Sequence, residues 1–271
     1  MDYLRPASLS EVFPALAAGA RVLAGGTDVY PGQGARIAGP VVDLTALPGF
    51  RGITRDAGGL RIGACTRWTD LAEAALPPAC AALQQAARQV GGRQIQNAGT
   101  LGGNLCNASP AADGVPPLLA LEAEVELVSV TGPRRVPLSA FLLGPRKVDL
   151  RPGEVLAAVC VPQAALAGVS AFEKLGARAY LVISIAMAAV RLEVAGGAIT
   201  RAAVSVGACG PVALRLAPVE AALVGPVQGA VDRARAADFS ALSPIDDVRA
   251  TAAYRRSAAV ELVARAVGRC L

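Results

Sequence analysis

Glycine and proline punctuate this chain from end to end. The 271 residues include 29 Gly and 19 Pro, and these are spread over many short segments instead of being gathered into one linker. Because both residues interrupt helices and strands, the sequence predicts a mixed α and β fold of short elements joined by frequent turns. Hydrophobic residues make up 54% and aromatic residues 4%, so we expect one or two domains with cores packed mainly by Ala, Val and Leu.

Apolar periodicity locates the individual elements. Residues 180–192 fit either a helix or a long apolar strand, and we expect a boundary between two domains near residue 167. The predicted strands are residues 21–24, 41–44, 60–65, 122–127, 155–161, 172–174 and 202–206, and the predicted helices are residues 69–75, 78–90, 219–223, 231–239 and 251–268.

Histidine is absent from the sequence. Its absence excludes Ser-His-Asp and Cys-His nucleophile activation, histidine-ligated zinc and axial-histidine haem. The six cysteines, at positions 65, 80, 106, 160, 209 and 270, are never closer than 15 residues in sequence. Iron-sulfur and zinc sites use clustered thiolates, so we predict no metal site and expect buried free thiols.

The charge is modest and scattered. There are 26 basic and 21 acidic residues, net +5, with no basic stripe interleaved with aromatic residues, so we expect no nucleic-acid binding. No run of roughly 20 apolar residues is present to span a membrane. The first residues carry no basic and then apolar leader. We therefore expect a cytoplasmic protein.

Two glycine-bearing segments stand out chemically. Residues 24–32 read AGGTDVYPG directly after a predicted strand, and residues 93–113 read RQIQNAGTLGGNLCNASPAAD. Consecutive glycines allow positive φ and let the backbone approach a ligand closely, and the N–H groups of such a turn can converge on an anion. With Thr27, Thr100 and Asn104 as added donors, the two segments together suit a diphosphate. Each segment alone also fits an ordinary tight turn.

The usual nucleotide-binding motifs do not fit. Neither Lys147 nor Lys174 follows a glycine loop at the Walker spacing. Gly32 and Gly34 begin a GxGxxG pattern, but Ile37 stands where the third glycine belongs. Any diphosphate is therefore expected to bind outside a Rossmann fold.

The pair of segments resembles the flavin-binding motifs of the FAD subunit of molybdenum hydroxylases, the family of xanthine, carbon monoxide and nicotinate dehydrogenases. That family has an AGGTD loop after a strand, then TxGGN, then SP and Asp. Here these are residues 24–28, 100–104, 109–110 and 113. Further family-like stretches extend the resemblance over nearly the whole chain. They are residues 141–145, 151–154, 172–178, 207–215, 245–249 and 254–255.

The resemblance implies an α+β architecture. Residues 1–167 would form a PCMH-type, vanillyl-alcohol-oxidase-like, FAD-binding domain. Residues 168–271 would form a smaller C-terminal α+β domain of the CO dehydrogenase flavoprotein type. The residues that it implies in FAD binding are Val22, Leu23, Ala24, Gly25, Gly26, Thr27, Asp28, Val29, Gly91, Thr100, Leu101, Gly102, Gly103, Asn104, Asp113, Leu156 and Lys174.

Individual roles follow from the same resemblance. Asp113 would hydrogen-bond cofactor hydroxyls, Leu156 would pack on the isoalloxazine, and Lys174 would lie near its edge, although the match is softer by one residue and Glu173 could take the equivalent place in some members of the family. A cation beside reduced flavin favours reduction. Gln96 stands where the family more often has Arg, a departure that we do not expect to cost FAD binding.

The function implied is that of an electron-transfer subunit of a multi-subunit oxidoreductase. Substrate would be oxidised at molybdopterin on a large partner, and electrons would pass through 2Fe-2S clusters on a small partner to this FAD and an external acceptor, in a heterotrimer or its dimer. No residue here is expected to act as a nucleophile or general acid. Two alternatives stay open: a stand-alone FAD reductase of similar fold, such as UDP-N-acetylenolpyruvoylglucosamine reductase, and a cofactor-free assembly scaffold.

Overall fold

The computed structural model describes residues 3–32 and 37–271. The start of the chain and Gly34, the second glycine of the incomplete dinucleotide motif, lie outside the described residues. Short helices and strands alternate along the described part, so the predicted mixed α and β fold is confirmed.

The elements are numbered in chain order. The helices are α1 (Leu9–Ala17), α2 (Trp68–Glu73), α3 (Ala81–Ala87), α4 (Arg93–Gln96), α5 (Leu101–Asn107), α6 (Val115–Ala120), α7 (Leu138–Phe141), α8 (Ala217–Leu223), α9 (Ala230–Ala236) and α10 (Ala252–Cys270). The strands are β1 (Tyr3–Leu4), β2 (Arg21–Leu23), β3 (Val41–Asp43), β4 (Ile53–Asp56), β5 (Gly59–Gly63), β6 (Glu124–Ser129), β7 (Gly132–Pro137), β8 (Leu142–Gly144), β9 (Lys147–Val148), β10 (Val155–Pro162), β11 (Val169–Leu175), β12 (Ala186–Ala195), β13 (Ala198–Gly207), β14 (Leu214–Arg215) and β15 (Gly225–Pro226).

A small parallel sheet carries the first glycine segment. Strands β1 and β2 flank β3, and both run parallel to it. The Tyr3 hydroxyl donates to the carboxylate of Asp43, and the same carboxylate accepts from the backbone N–H of Thr45 at 2.8 Å. Strand β2 ends at Leu23, so the AGGTD turn begins at the carboxyl edge of the sheet, where ligands of parallel sheets usually bind.

A five-stranded antiparallel sheet in the order β4-β5-β10-β6-β7 forms the floor of the first body. Its central strand β10 is buried along almost its whole length. Its pairing with β6 shifts register between Leu156 and Ala158, and the carbonyl of Ala157 accepts from the N–H of Ala64 at 2.9 Å. Such bulges re-aim neighbouring side chains, and this one lies beside Leu156.

The second body is the antiparallel sheet β11-β12-β13-β14 with helices α8, α9 and α10. Helix α10 covers one face of β12, while α3 and α6 from the first body contact the other. Between the two main cores lies a small cluster rich in alanine that also contains Phe172 and Met187. Small side chains let the two bodies approach closely.

Strand β12 resolves the ambiguity over residues 180–192. The strand interpretation is confirmed from Ala186 onward, and residues 176–185 are irregular. Every residue from Ala186 to Leu192 is buried because both faces of the strand are covered. A strand covered on both faces reads as one apolar run, which periodicity alone does not separate from a helix.

Helix α10 is the longest helix in the described residues, and it carries Arg255, Arg256, Glu261, Arg265 and Arg269. None of the helices in the described part of the chain combines the length and the apolar character needed to cross a membrane.

Arg191 on β12 forms hydrogen bonds and ion pairs with residues of both bodies. Its side chain is 2% exposed, and it donates to the carbonyl of Ala120 and to Glu122, both at 3.0 Å. It also donates to Glu193 at 2.8 Å. A buried guanidinium with this many acceptors fixes the position of β12 against the end of α6.

We expect Arg191→Met to lower the free energy of unfolding by about 2–4 kcal/mol, because it leaves the carbonyl of Ala120 and the carboxylate of Glu122 without this donor. Arg201→Met is the control, since Arg201 contacts the same Glu122 from a 46% exposed side chain and should cost less than about 1 kcal/mol. Urea unfolding can be followed by the fluorescence of Trp68, the single tryptophan. Equal losses in the two variants would contradict the assigned role of Arg191.

Candidate functional site

The two glycine segments meet in space. A Cβ on Gly25 would overlap the carbonyl oxygen of Ala98 and lie 2.9 Å from the Cα of Gly99. At the far end of the contact, the side-chain amide of Asn107 donates to Asp28 at 3.0 Å. Any side chain at position 25 would collide with Ala98, so the two segments can touch only if this residue is glycine.

A cavity of about 340 Å³ opens where the loops meet. This volume falls within the range of roughly 300–1,000 Å³ typical of small-molecule sites. Trp68, Leu44 and Glu154 contribute to its wall, together with most of the residues expected from the sequence. The expected residues that line it are Val22, Ala24, Gly25, Gly26, Thr27, Asp28, Val29, Thr100, Gly102, Gly103, Asn104 and Leu156.

The second segment is pressed against the floor sheet. A Cβ on Gly102 would lie 2.7 Å from the Cβ of Ala64, and the N–H of Gly102 donates to the carbonyl of Ala64 at 2.8 Å. Thr100 caps helix α5 by accepting the N–H of Gly103 on its hydroxyl at 3.1 Å. The TxGGN residues therefore begin a short helix whose start is fixed by the end of β5.

Backbone amides differ between the two segments. In the second, the N–H groups of Leu101, Gly102, Gly103 and Asn104 all donate to acceptors within the chain. In the first, the amides of residues 25–29 have no acceptor among residues 3–32 and 37–271. The expectation that both segments offer bare amides is therefore wrong for the second, because the start of α5 uses its own donors.

The free amides belong to residues that line the cavity, and unpaired backbone amides of this kind attract an anion. Asn104 adds a different group, since its side-chain oxygen is buried and has no donor within the described ranges. A buried acceptor without a partner costs free energy. A ligand with an anionic part, such as the diphosphate of FAD, would satisfy the free amides of the first segment.

Carboxylates, not cations, stand on the cavity wall. Asp28 and Glu154 line it, and no Lys or Arg does so among the residues that the structure describes. Glu154 is neutralised by Arg134, whose Nε donates to it at 2.7 Å. Hydrogen bonds from Arg134 lower the pKa of Glu154, so that carboxylate stays ionised and paired.

Five of the expected residues lie off the cavity wall. Leu23 and Leu101 are buried in the protein interior, with 4% and 0% exposure. Gly91 adopts a left-handed φ of 56° beside the side chain of Ile95, which lines the cavity. Asp113 and Lys174 are not among the residues that line the cavity, and they form an ion pair with each other.

The Asp113 and Lys174 pair is buried between the two bodies. The ammonium lies 2.6 Å from Asp113 and donates to the carbonyl of Gln89 at 3.2 Å, and Ser184 donates to Asp113 at 2.6 Å. Burial raises the pKa of Asp113, and the charge and hydrogen bond of Lys174 oppose that rise. Lys174 is thus a buried partner of Asp113 and not a solvated surface lysine.

Gly114, the residue after Asp113, lies against the cavity wall and so brings the pair close to the cavity. A Cβ on Gly114 would lie 2.5 Å from the ring of Trp68 and 3.0 Å from the side-chain oxygen of Asn104, and both of those side chains line the cavity.

Ser184 was not predicted from the sequence, because a single serine in an irregular segment carries no pattern.

Two cysteines were also missed as cavity residues. Cys65 and Cys106 line the wall, and burial raises the pKa of each thiol to about 12. Both are therefore neutral near pH 7. All six cysteines are free, and the described residues contain no group of three or more His, Cys, Asp or Glu side chains placed to hold a metal ion.

Comparison with known proteins covers both bodies. The family model described as "FAD binding domain in molybdopterin dehydrogenase" matches residues 1–164. The model described as "CO dehydrogenase flavoprotein C-terminal domain" matches residues 170–270.

Individual relatives agree with the family models. The xanthine dehydrogenase FAD-binding subunit of Escherichia coli O157:H7 is 39% identical over 174 residues, which cover 59% of this chain and 57% of that protein. The match therefore spans little more than half the length of that relative. The 6-hydroxypseudooxynicotine dehydrogenase complex subunit alpha of Paenarthrobacter nicotinovorans is 31% identical over 100% of this chain and 94% of its own. A solved structure of carbon monoxide dehydrogenase from Hydrogenophaga pseudoflava superposes with a TM-score of 0.86 at 30% identity, covering 100% of this chain and 96% of that chain.

We expect Gly25→Ala to force the two glycine segments apart, because the added methyl group overlaps the carbonyl of Ala98. Overpacking of this kind typically costs about 1–3 kcal/mol of unfolding free energy. Gly144→Ala is the matched control, since a Cβ there meets nothing within 4 Å and φ is not left-handed. Thermal and urea unfolding of the two variants provide the measurement, and a Gly25→Ala protein as stable as the control would argue against the contact.

Proposed function

We propose that this chain, which belongs to the family of the FAD binding domain in molybdopterin dehydrogenase, is the FAD-containing electron-transfer subunit of a multi-subunit molybdenum hydroxylase. One observation carries the proposal: two glycine segments far apart in sequence converge on one cavity. That cavity is lined by the residues with free amides, which suit an anion, and by the polar side chain of Asn104.

Bound FAD would supply the redox chemistry, by accepting and releasing electrons. The residues of this chain bind and orient it. The amides of residues 25–29 would hold the diphosphate, Asn104 would accept a hydrogen bond from a cofactor hydroxyl, and Leu156 would pack against the isoalloxazine. Asp113 and Lys174 set the local charge from behind the wall, and Ser184 holds Asp113 in place.

The proposed partners follow from the relatives, which include a carbon monoxide dehydrogenase medium chain. A large subunit would carry molybdopterin and oxidise the substrate, and a small subunit would carry 2Fe-2S clusters that deliver electrons to this FAD. An external acceptor would then take the electrons. We propose a heterotrimer or its dimer in the cytoplasm, with this chain divided into a FAD-binding domain at residues 1–167 and a C-terminal domain at residues 168–271.

The two alternatives are less well supported. A stand-alone FAD reductase has no need of the second body, whose relatives include medium chains of multi-subunit dehydrogenases. A cofactor-free scaffold has no need of the open cavity, the unpaired amides and the orphaned Asn104 oxygen.

We expect the purified chain, alone or with its partners, to show the visible absorption of oxidised flavin, directly or after incubation with FAD. Gly103→Val should abolish binding, because Gly103 lines the cavity and its substituent would occupy space needed by the cofactor. The variant also crowds the Thr100 hydroxyl at 2.9 Å, so about 1 kcal/mol of stability is lost with the cap. Gly268→Val, at an exposed position of α10 where a Cβ meets only Val231 at 3.7 Å, is the control.

A colourless wild-type preparation that takes up no FAD would overturn the proposal. Copurification of a molybdopterin subunit and an iron-sulfur subunit with the tagged chain would distinguish the electron-transfer subunit from a stand-alone reductase, which needs neither.

The buried pair behind the wall yields a second test. Asp113→Asn leaves the ammonium of Lys174 without its carboxylate and should raise the two-electron midpoint potential of bound FAD. Lys174→Met removes the cation that opposes the raised pKa of Asp113, so it should lower the potential only at a pH high enough to keep Asp113 ionised. A difference of roughly 2 kcal/mol corresponds to about 40 mV for a two-electron couple. Redox titration of the FAD-loaded variants measures both. An unchanged potential in both variants would show that the pair does not act on the flavin.

A further inference from the structure

The negative charge of a bound diphosphate would have to be balanced at the cavity. A diphosphate brings negative charge to a wall that already carries Asp28, and no Lys or Arg side chain lines that wall within residues 3–32 and 37–271. Glu154 is already matched by Arg134. The free amides of residues 25–29 supply partial positive charge only, so a full cation nearby would add a stronger, charge-assisted contact to the ligand.

Arg146 is an arginine that contacts this wall. Its guanidinium donates to the backbone carbonyl of Asn107 at 3.2 Å and also to the side-chain oxygen of Asn107. Asn107 in turn donates to Asp28, and both Asn107 and Asp28 line the cavity. Within the described part of the chain the guanidinium of Arg146 contacts the oxygens of Asn107 and no carboxylate, so its charge is not neutralised by an ion pair there.

Arg146 adopts an unfavourable backbone conformation. It lies in the turn between β8 and β9 with a left-handed φ of 60°, a conformation that glycine adopts more readily. Its N–H donates to the carbonyl of Ala108 at 2.9 Å, and Ala108, which ends α5, has a left-handed φ of 45°. Strained positions of this kind persist where the surroundings enforce them and are concentrated at ligand sites.

We propose that Arg146 supplies the positive charge that balances the cofactor diphosphate, with Asn107 as the residue that positions it. This inference rests on the proposed FAD binding. A guanidinium is suited to the task because its planar set of donors matches phosphate oxygens and it stays charged at all relevant pH values. Asn107 links the cation to the segment that carries the free amides, so both sources of positive character act at one end of the cavity.

The test measures FAD affinity of the full chain after removal of the cofactor, by fluorescence titration at low and high salt. Arg146→Ala should weaken FAD binding by about 10- to 100-fold at low salt, and the gap from wild type should narrow as salt screens the charge. Arg146→Lys should recover part of the affinity. Lys147→Ala, at the next, exposed position, is the matched control and should bind FAD as the wild type does.

Arg146→Gly separates the side chain from the strained backbone. It should raise the unfolding temperature, because glycine relieves the left-handed φ, and yet lose FAD affinity as Arg146→Ala does. Unchanged FAD affinity in Arg146→Ala would overturn the inference, and so would an affinity loss that is independent of salt and not improved by lysine. A wild-type chain that binds no FAD would instead overturn the proposed function, so the two failures are distinct.

Discussion

The close approach of Gly25 to Ala98 is the contact on which the site depends. It joins the carboxyl edge of the parallel sheet to the turn that precedes helix α5, and without it the free amides of residues 25–29 would face solvent instead of a cavity. The second contact of the same kind, between Gly102 and Ala64, fixes α5 on the floor sheet. Two positions where a Cβ does not fit therefore determine the shape of the pocket.

The two glycine segments have different tasks although their sequences look alike. The first has unused N–H donors and is the segment that we propose binds an anion, while the second uses its donors to start a helix and contributes shape and the side chain of Asn104. Glycine in the first segment is needed for the turn and for close approach, and glycine in the second is needed for packing. One short motif thus does not imply one role.

The sequence predicted the parts of this molecule that local pattern determines. Strands β2, β3 and β10, helix α10 and the convergence of residues 24–28 with 100–104 follow from periodicity, turn residues and the family-like spacing. Contacts distant in sequence carry no such pattern, which is why Ser184 beside Asp113 and Arg146 beside Asn107 emerged only from the structure. The internal use of the α5 amides was missed for a related reason, since hydrogen-bond partners depend on where the helix starts.

Charge near the cavity comes from more than one part of the chain. Lys174 lies on β11 of the second body, whereas Asp113 precedes α6 of the first, and their 2.6 Å contact exists only because Phe172, Met187 and the surrounding alanines pack the two bodies together. A buried carboxylate without its cation is costly, so the pair strengthens that packing and the packing keeps the pair intact. The electrostatic environment at the cavity therefore depends on the second body, although that body contributes none of the lining residues.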